Sequence, residues 1–120
     1  RTALVVRQVK DTIRESCFAL FKEILTDLGI LSSREARHTS STNGEVIAIA
    51  SPMEIRFPNG SRIIFKGLDN VEKIKSVHGV SIVWMEECSE ITFAAYTELL
   101  GRVREPNKTL HFIMPHCFSK

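Results

Sequence analysis

The amino-acid sequence predicts an α/β domain: a mostly parallel sheet covered by helices on both faces, with an antiparallel hairpin inserted. Three observations lead there. Short apolar runs alternate with helical segments, the pattern of strands joined by crossover helices. Asn59-Gly60 stands between two β-rich runs, the strongest short-range sign of a hairpin. The apolar run Ile82-Val83-Trp84-Met85 ends abruptly in two carboxylates, Glu86 and Glu87, as suits a strand buried on both faces whose carboxyl end meets a ligand.

Thr2 to Val6 reads as a buried strand closed by Arg7. From Val9 to Leu28 the apolar residues Val9, Ile13, Cys17, Leu20, Phe21, Ile24, Leu25 and Leu28 recur every three or four positions, which is one helical face, and Gly29 suits the C-cap. The polar stretch Ser32 to Gly44 has no periodicity and reads as a loop, whose Arg34, Arg37 and His38 are either solvated or set against phosphates. Val46 to Ala50 is strand-like, Met53 to Phe57 alternates, and Arg62 to Phe65 completes the hairpin across Pro58-Asn59-Gly60-Ser61. Gly67 to Asn70 is a turn and Val71 to Ser76 a short helix. Past Met85 a second helix runs from about Thr92 to Val103, with Phe93, Tyr96, Leu99, Leu100 and Val103 on one face. Glu105 to Lys108 breaks it, and Leu110 to Met114 forms a last strand.

The two acids carry the chemistry. A carboxylate at the tip of an interior strand is costly unless a partner or a metal uses its charge. In nucleotide-hydrolysing motors the first such acid holds Mg²⁺ and the second polarises the attacking water. The plainer reading is an acidic helix start, favoured by the helix dipole. Composition bounds the rest. With 120 residues, 43% hydrophobic and 25% charged, this is one soluble-type domain. A net charge of +2 does not argue for nucleic-acid binding, although near-balance can hide a local basic patch. No run approaches the ~20 apolar residues of a membrane helix, and no signal peptide is visible. Cys17, Cys88 and Cys117 lack metal or disulfide spacing, so reduced thiols in a cytoplasmic protein are expected. Without an initiator Met and opening almost at once on a strand, the chain reads as a piece of something longer.

Three segments, in order, resemble the ATPase domain of bacteriophage terminase large subunits of the PBSX-like branch. Leu4-Val5-Val6-Arg7, with Ser16 in the following helix, is similar to the family's strand-Arg-helix segment. Asn59 to Asp69, continuing Glu72-Lys73-Ile74-Lys75-Ser76, resembles its hairpin and connecting turn. Ile82 to Glu87 resembles its Walker B strand, with Glu-Glu where other branches carry Asp-Glu. The resemblance spans nearly the whole chain. It implies an incomplete three-layer P-loop NTPase-like fold of the ASCE type, and one partial ATPase domain over residues 1–120.

By matching position, the resemblance implies that Glu86 coordinates Mg²⁺ and that Glu87 is the catalytic carboxylate acting on the attacking water. Arg7, on the ligand edge, either contacts nucleotide phosphate or pairs with an acid such as Glu86 or Glu87. Lys75 is the candidate finger reaching a neighbouring subunit's nucleotide, although as Lys it offers a point charge rather than a fork. The plainer alternative for each is a surface or capping residue. Implied for the parent protein are ATP and Mg²⁺ as cofactors. Its implied partners are double-stranded DNA, the terminase small subunit and the capsid portal, within a homo-oligomeric ring in the bacterial host cytoplasm.

Two departures bear on activity. No GxxxxGK[ST] phosphate loop occurs; in the family it precedes the strand that opens this chain. Without its backbone N–H groups and Lys, nucleotide affinity and catalysis by this chain alone should largely vanish. In Phe112-Ile113-Met114-Pro115-His116, Met114 stands where relatives place an Asn. The family's downstream nuclease domain is also missing. Three other readings stay open: a helicase-like motor, a non-enzymatic interaction module, and a metal nuclease using Asp69, Glu86, Glu87 and Glu90.

Overall fold

The first strand, β1 (Thr2–Arg7), lies inside the sheet with a parallel neighbour on each side. The structure, a computed structural model, describes residues 1–36, 46–50, 53–69, 79–103 and 109–114. Among them β2 (Leu31–Ala36), β3 (Val46–Ile49), β4 (Glu54–Arg56), β5 (Arg62–Gly67), β6 (Val80–Met85) and β7 (His111–Ile113) join β1 in one seven-stranded sheet. The spatial order is β2-β3-β4-β5-β1-β6-β7. Only the pairings of β4 with β3 and β5 are antiparallel, so the hairpin is an inversion inside an otherwise parallel sheet.

Alternation along β1 places helices on both faces. Leu4 and Val6 point to one side, where they meet Val83 and Met85 of β6 and Leu99 and Val103 of α3 (Phe93–Val103). Val5 points to the other side, toward Ile13, Cys17 and Phe18 of the first helical run and Phe65 of β5. This is the three-layer arrangement expected from the strand–helix alternation. Phe65 forms T-shaped pairs with both Phe18 and Phe21, with ring centroids at 5.1 and 5.4 Å.

That first helical run departs from the expected uninterrupted helix. It begins as α1 (Lys10–Ile13), widens into a π segment at Arg14–Phe18, and resumes as α2 (Ala19–Asp27). A π turn accommodates one extra residue and sets the following turns back by about 100°, one residue's rotation. Phe18 therefore swings into the core, while Leu20 and Ile24, assigned to the buried face from an unbroken 3.6 period, turn outward and are half exposed. Gly29 ends the run with φ +75°, and the Ile30 N–H closes back on the Leu25 carbonyl at 2.9 Å.

The hairpin forms as its residues dictate. Gly60 adopts φ +91°, the Ser61 N–H donates to Asn59 Oδ1 at 2.9 Å, and the Phe57 N–H donates to the Ser61 carbonyl at 2.9 Å. Buried Glu54 on β4 meets Arg56 and Arg62, which supplies the partners that a buried carboxylate needs. Thr92 caps α3, its Oγ1 accepting the Ala95 N–H at 3.1 Å. Leu99 and Val103 are buried as expected, but Phe93 at the first turn is 79% exposed.

One strand was not expected. Leu31–Ala36 lies at the start of the stretch read as a loop, yet it pairs parallel with β3. Its polar composition carries no period; tertiary pairing at a sheet edge decides its conformation. The expected short helix Val71 to Ser76, the breaker Glu105 to Lys108, and Arg37 and His38 lie outside the described residues, whereas Arg34 sits on β2. Cys17 is free and buried, but Cys88 is disulfide-bonded, against the expectation of reduced thiols. Sequence spacing does not report which cysteines meet in space. No helix among the described residues is long and apolar enough to cross a membrane.

Candidate functional site

The candidate site forms where β1 and β6 end side by side. The two strands run parallel with Val6 opposite Met85, so Arg7 and Glu86 leave the sheet at the same carboxyl edge. The Glu86 N–H donates to the Val6 carbonyl at 2.9 Å, carrying the β1–β6 ladder one residue beyond the strand. The Glu86 side chain is fixed too: the Trp84 indole N–H donates to its Oε1 at 2.8 Å. Both levels of attachment hold this carboxylate at the sheet edge.

Glu87 turns the chain. Its backbone sits at φ 51°, ψ 51°, the left-handed region that costs a side-chain-bearing residue roughly 1–2 kcal/mol. Such outliers persist where the surrounding structure imposes them, and they cluster at functional positions. A short 3₁₀ turn, Cys88–Glu90, follows and brings Glu90 back over β1. Arg7 Nε stands 3.7 Å from Glu90 Oε1. Of the acids on this turn, the one beside Arg7 is Glu90 rather than Glu86 or Glu87.

At 3.7 Å that contact is an ion pair but too long for a hydrogen bond. Arg7 Nε is buried without a hydrogen-bond partner, and so is Oε1 of the adjoining Gln8. Orphaned buried polar atoms are rare; among the described residues the third is Arg102 Nε on α3.

On the helical side, the π segment brings Ser16 and Cys17 to a cleft of about 390 Å³ that Phe21, Trp84 and Glu86 also line. Burial pushes the Cys17 thiol above its ordinary range. The adjacent Ser16 hydroxyl opposes that shift, the Glu86 charge adds to it, Arg7 opposes it and Glu87 adds again.

The donors suit a particular ion. Mg²⁺ takes one or two carboxylates and completes its octahedron with water and phosphate oxygens. Glu86, with Oε2 not engaged by the indole, and neighbouring Glu87 offer that kind of set, and the orphaned Arg7 nitrogen suits a phosphate oxygen. Among the described residues no three of His, Cys, Asp and Glu converge on one point. The nuclease constellation of Asp69, Glu86, Glu87 and Glu90 is therefore not assembled; three of the four lie on one short turn and cannot surround an ion. Lys75 lies outside the described residues. Trp84, Gln8 and Cys17 were missed as site residues. For Trp84 the signal was available, since residues two apart on a strand share a face.

An open, mostly parallel sheet with helices on both faces is an incomplete α/β fold of the P-loop-like kind. The chain belongs to the phage terminase large subunit family, whose model matches residues 1–116. It is 48% identical over 113 residues to the PBSX phage terminase large subunit of Bacillus subtilis (strain 168), covering 94% of this chain and 23% of that protein. It is 34% identical over 94 residues to the terminase large subunit of Bacillus phage SPP1, covering 74% and 19%. Among solved structures, the large terminase of a thermophilic bacteriophage superposes with a TM-score of 0.59 at 11% identity, covering 95% of this chain and 26% of that one. The chain thus spans about a quarter or less of these relatives.

Proposed function

We propose that this chain is the Walker B part of the ATPase domain of a phage DNA-packaging motor. The whole protein would couple MgATP hydrolysis to translocation of double-stranded DNA into the capsid, and would cut that DNA. One observation carries the reading: Arg7, Glu86 and Glu87 emerge together at the carboxyl edge of two adjacent parallel strands. Membership of the terminase family supports it.

In this reading Glu86 would hold Mg²⁺, directly or through water. The bound ion supplies charge neutralisation on the nucleotide phosphates. Glu86 is oriented by the Trp84 indole and by the Val6 carbonyl, so little conformational freedom is lost on binding. Glu87 accepts a hydrogen bond from the attacking water and draws off its proton, the role of a positioned general base. Arg7 exchanges its long contact with Glu90 for a phosphate oxygen, which would satisfy its orphaned nitrogen. Lys75 is the candidate finger in trans. The terminase small subunit, the capsid portal and further copies in a ring are the partners, in the bacterial host cytoplasm.

The test is a chimera in which this chain replaces the matching 113-residue segment of the PBSX relative. The chimera should hydrolyse ATP, and Glu87→Gln should lower the rate about 10²–10⁴-fold, the range typical of losing a general base. Glu86→Gln should raise the Mg²⁺ concentration needed for half-maximal rate. A chimera that hydrolyses ATP equally well with either substitution would exclude these roles.

A further inference from the structure

We propose that Arg56 and Arg62 form a contact for the phosphodiester backbone of double-stranded DNA, at the end of the sheet opposite the acids; this rests on the reading above that makes DNA the partner. The two residues stand directly opposite each other on antiparallel β4 and β5. Like charges in such a pair destabilise a sheet, and a single carboxylate answers both: Arg56 Nε and Arg62 Nη1 converge on Glu54 Oε1. Arg62 Nη1 stays 3.8 Å away, beyond hydrogen-bond reach. Two guanidiniums against one buried carboxylate leave a positive charge in excess, and the two arginine side chains remain 26% and 34% exposed. Exposed Arg1 adds a cation beside them, its carbonyl accepting the Arg62 N–H at 3.0 Å. Glu86, Glu87 and Glu90 lie past the far end of the strands, where β1 and β6 finish. A polyanion is therefore drawn to the amino edge and repelled from the carboxyl edge. The layout also selects the ligand. The arginines project from neighbouring strands roughly 5 Å apart, so their charges form a row rather than a ring. A row suits successive phosphates of a duplex, which carries one charge per about 3.4 Å of axis on each strand.

The experiment titrates a fluorescently labelled DNA duplex with this chain and follows anisotropy at increasing salt. Arg62→Gln should make the slope of log K against log salt shallower by about 0.9, the share of one phosphate contact, and equally so on unrelated duplex sequences. Arg62→Lys should keep the slope. Lys22→Gln, the same loss of charge placed on α2, should keep it too. Glu54→Gln acts in the opposite sense: it removes the anion that competes with phosphate and should tighten binding, which a merely structural cluster would not do. A chain that ignores the duplex overturns the proposal, as do equal slope changes for Arg62→Gln and Lys22→Gln, or binding left unchanged or weakened by a folded Glu54→Gln chain. Displacement of the duplex by inorganic phosphate at constant ionic strength overturns it as well and marks a small-anion site. The titration needs no nucleotide, so a chimera inert toward ATP leaves this contact standing. A hydrolysing chimera beside a chain that ignores DNA removes the contact alone.

Discussion

Arg7 Nε lies 3.7 Å from Glu90 Oε1, so the cation at the end of β1 is met by the third acid of the Glu86–Glu90 turn and by neither of the first two. Glu90 is more than half exposed, and an ion pair so hydrated contributes little to stability. Its consequence is local, because it keeps a guanidinium at the sheet edge beside carboxylates proposed to hold a cation.

Removing that pair should therefore act on binding more than on folding. Glu90→Gln is expected to change the unfolding free energy by about 0.5 kcal/mol or less, measured by urea denaturation. In the ATPase chimera the same substitution should lower KM for ATP about twofold, since Arg7 no longer has to leave a competing anion. A raised KM would show that Glu90 supports the nucleotide site.

Glu87 sets backbone strain against function. Glu87→Gly relieves the left-handed conformation and should raise the thermal midpoint, by the equivalent of roughly 0.5–1 kcal/mol after the entropy of glycine is subtracted. The chimera carrying it should lose ATP hydrolysis. An unchanged or lowered midpoint would mean that the side chain makes stabilising contacts that outweigh the strain.

The faces of α3 can be told apart by truncation. Leu99 is fully buried against β1 and β6, and Leu99→Ala should cost about 2–5 kcal/mol in chemical denaturation. Phe93→Ala, at a position 79% exposed, should cost about 0.5 kcal/mol or less. Comparable losses at both sites would refute the rotational setting of this helix.

Cys17 gives a pH dependence with a definite sign. Burial raises its folded-state pKa above the ordinary 9.0. Below that value both folded and unfolded chains carry the thiol, and the full stability is present. Above it the unfolded chain ionises first, binds fewer protons than the folded one, and stability falls as pH rises. Denaturation of the unsubstituted chain and of Cys17→Ala should therefore diverge only above about pH 9, with the unsubstituted chain declining faster. Parallel curves would place the thiol in a more polar setting.

Much of this architecture was legible in the sequence. The strands around β1, β5 and β6 announce themselves through apolar runs, Asn59-Gly60 specifies the hairpin, and Gly29 ends the helical run, because each depends on local backbone chemistry. Two things were not legible. The strand at Leu31–Ala36 owes its form to pairing with β3, a contact that composition does not encode. The site's internal contacts, Trp84 to Glu86 and Glu90 to Arg7, depend on how a tight turn directs side chains. Sequence placed Arg7 and the acid pair at a ligand edge, yet it could not say which acid each basic or donor group would meet.

The widened segment at Arg14–Phe18 gives the first helical run two phases in one rod. Its amino-terminal part seats Ile13 and Cys17 on the sheet; its carboxyl-terminal part seats Phe21 and Leu25, with Phe18 at the junction. Deleting one residue there would remove the extra residue that the wide turn accommodates, leaving Phe21 and Leu25 in phase with the sheet on a uniform screw but abolishing the wide turn that carries Ser16 and Cys17. A single-codon change far from either acid would thus reshape the wall that Ser16 and Cys17 present to Glu86.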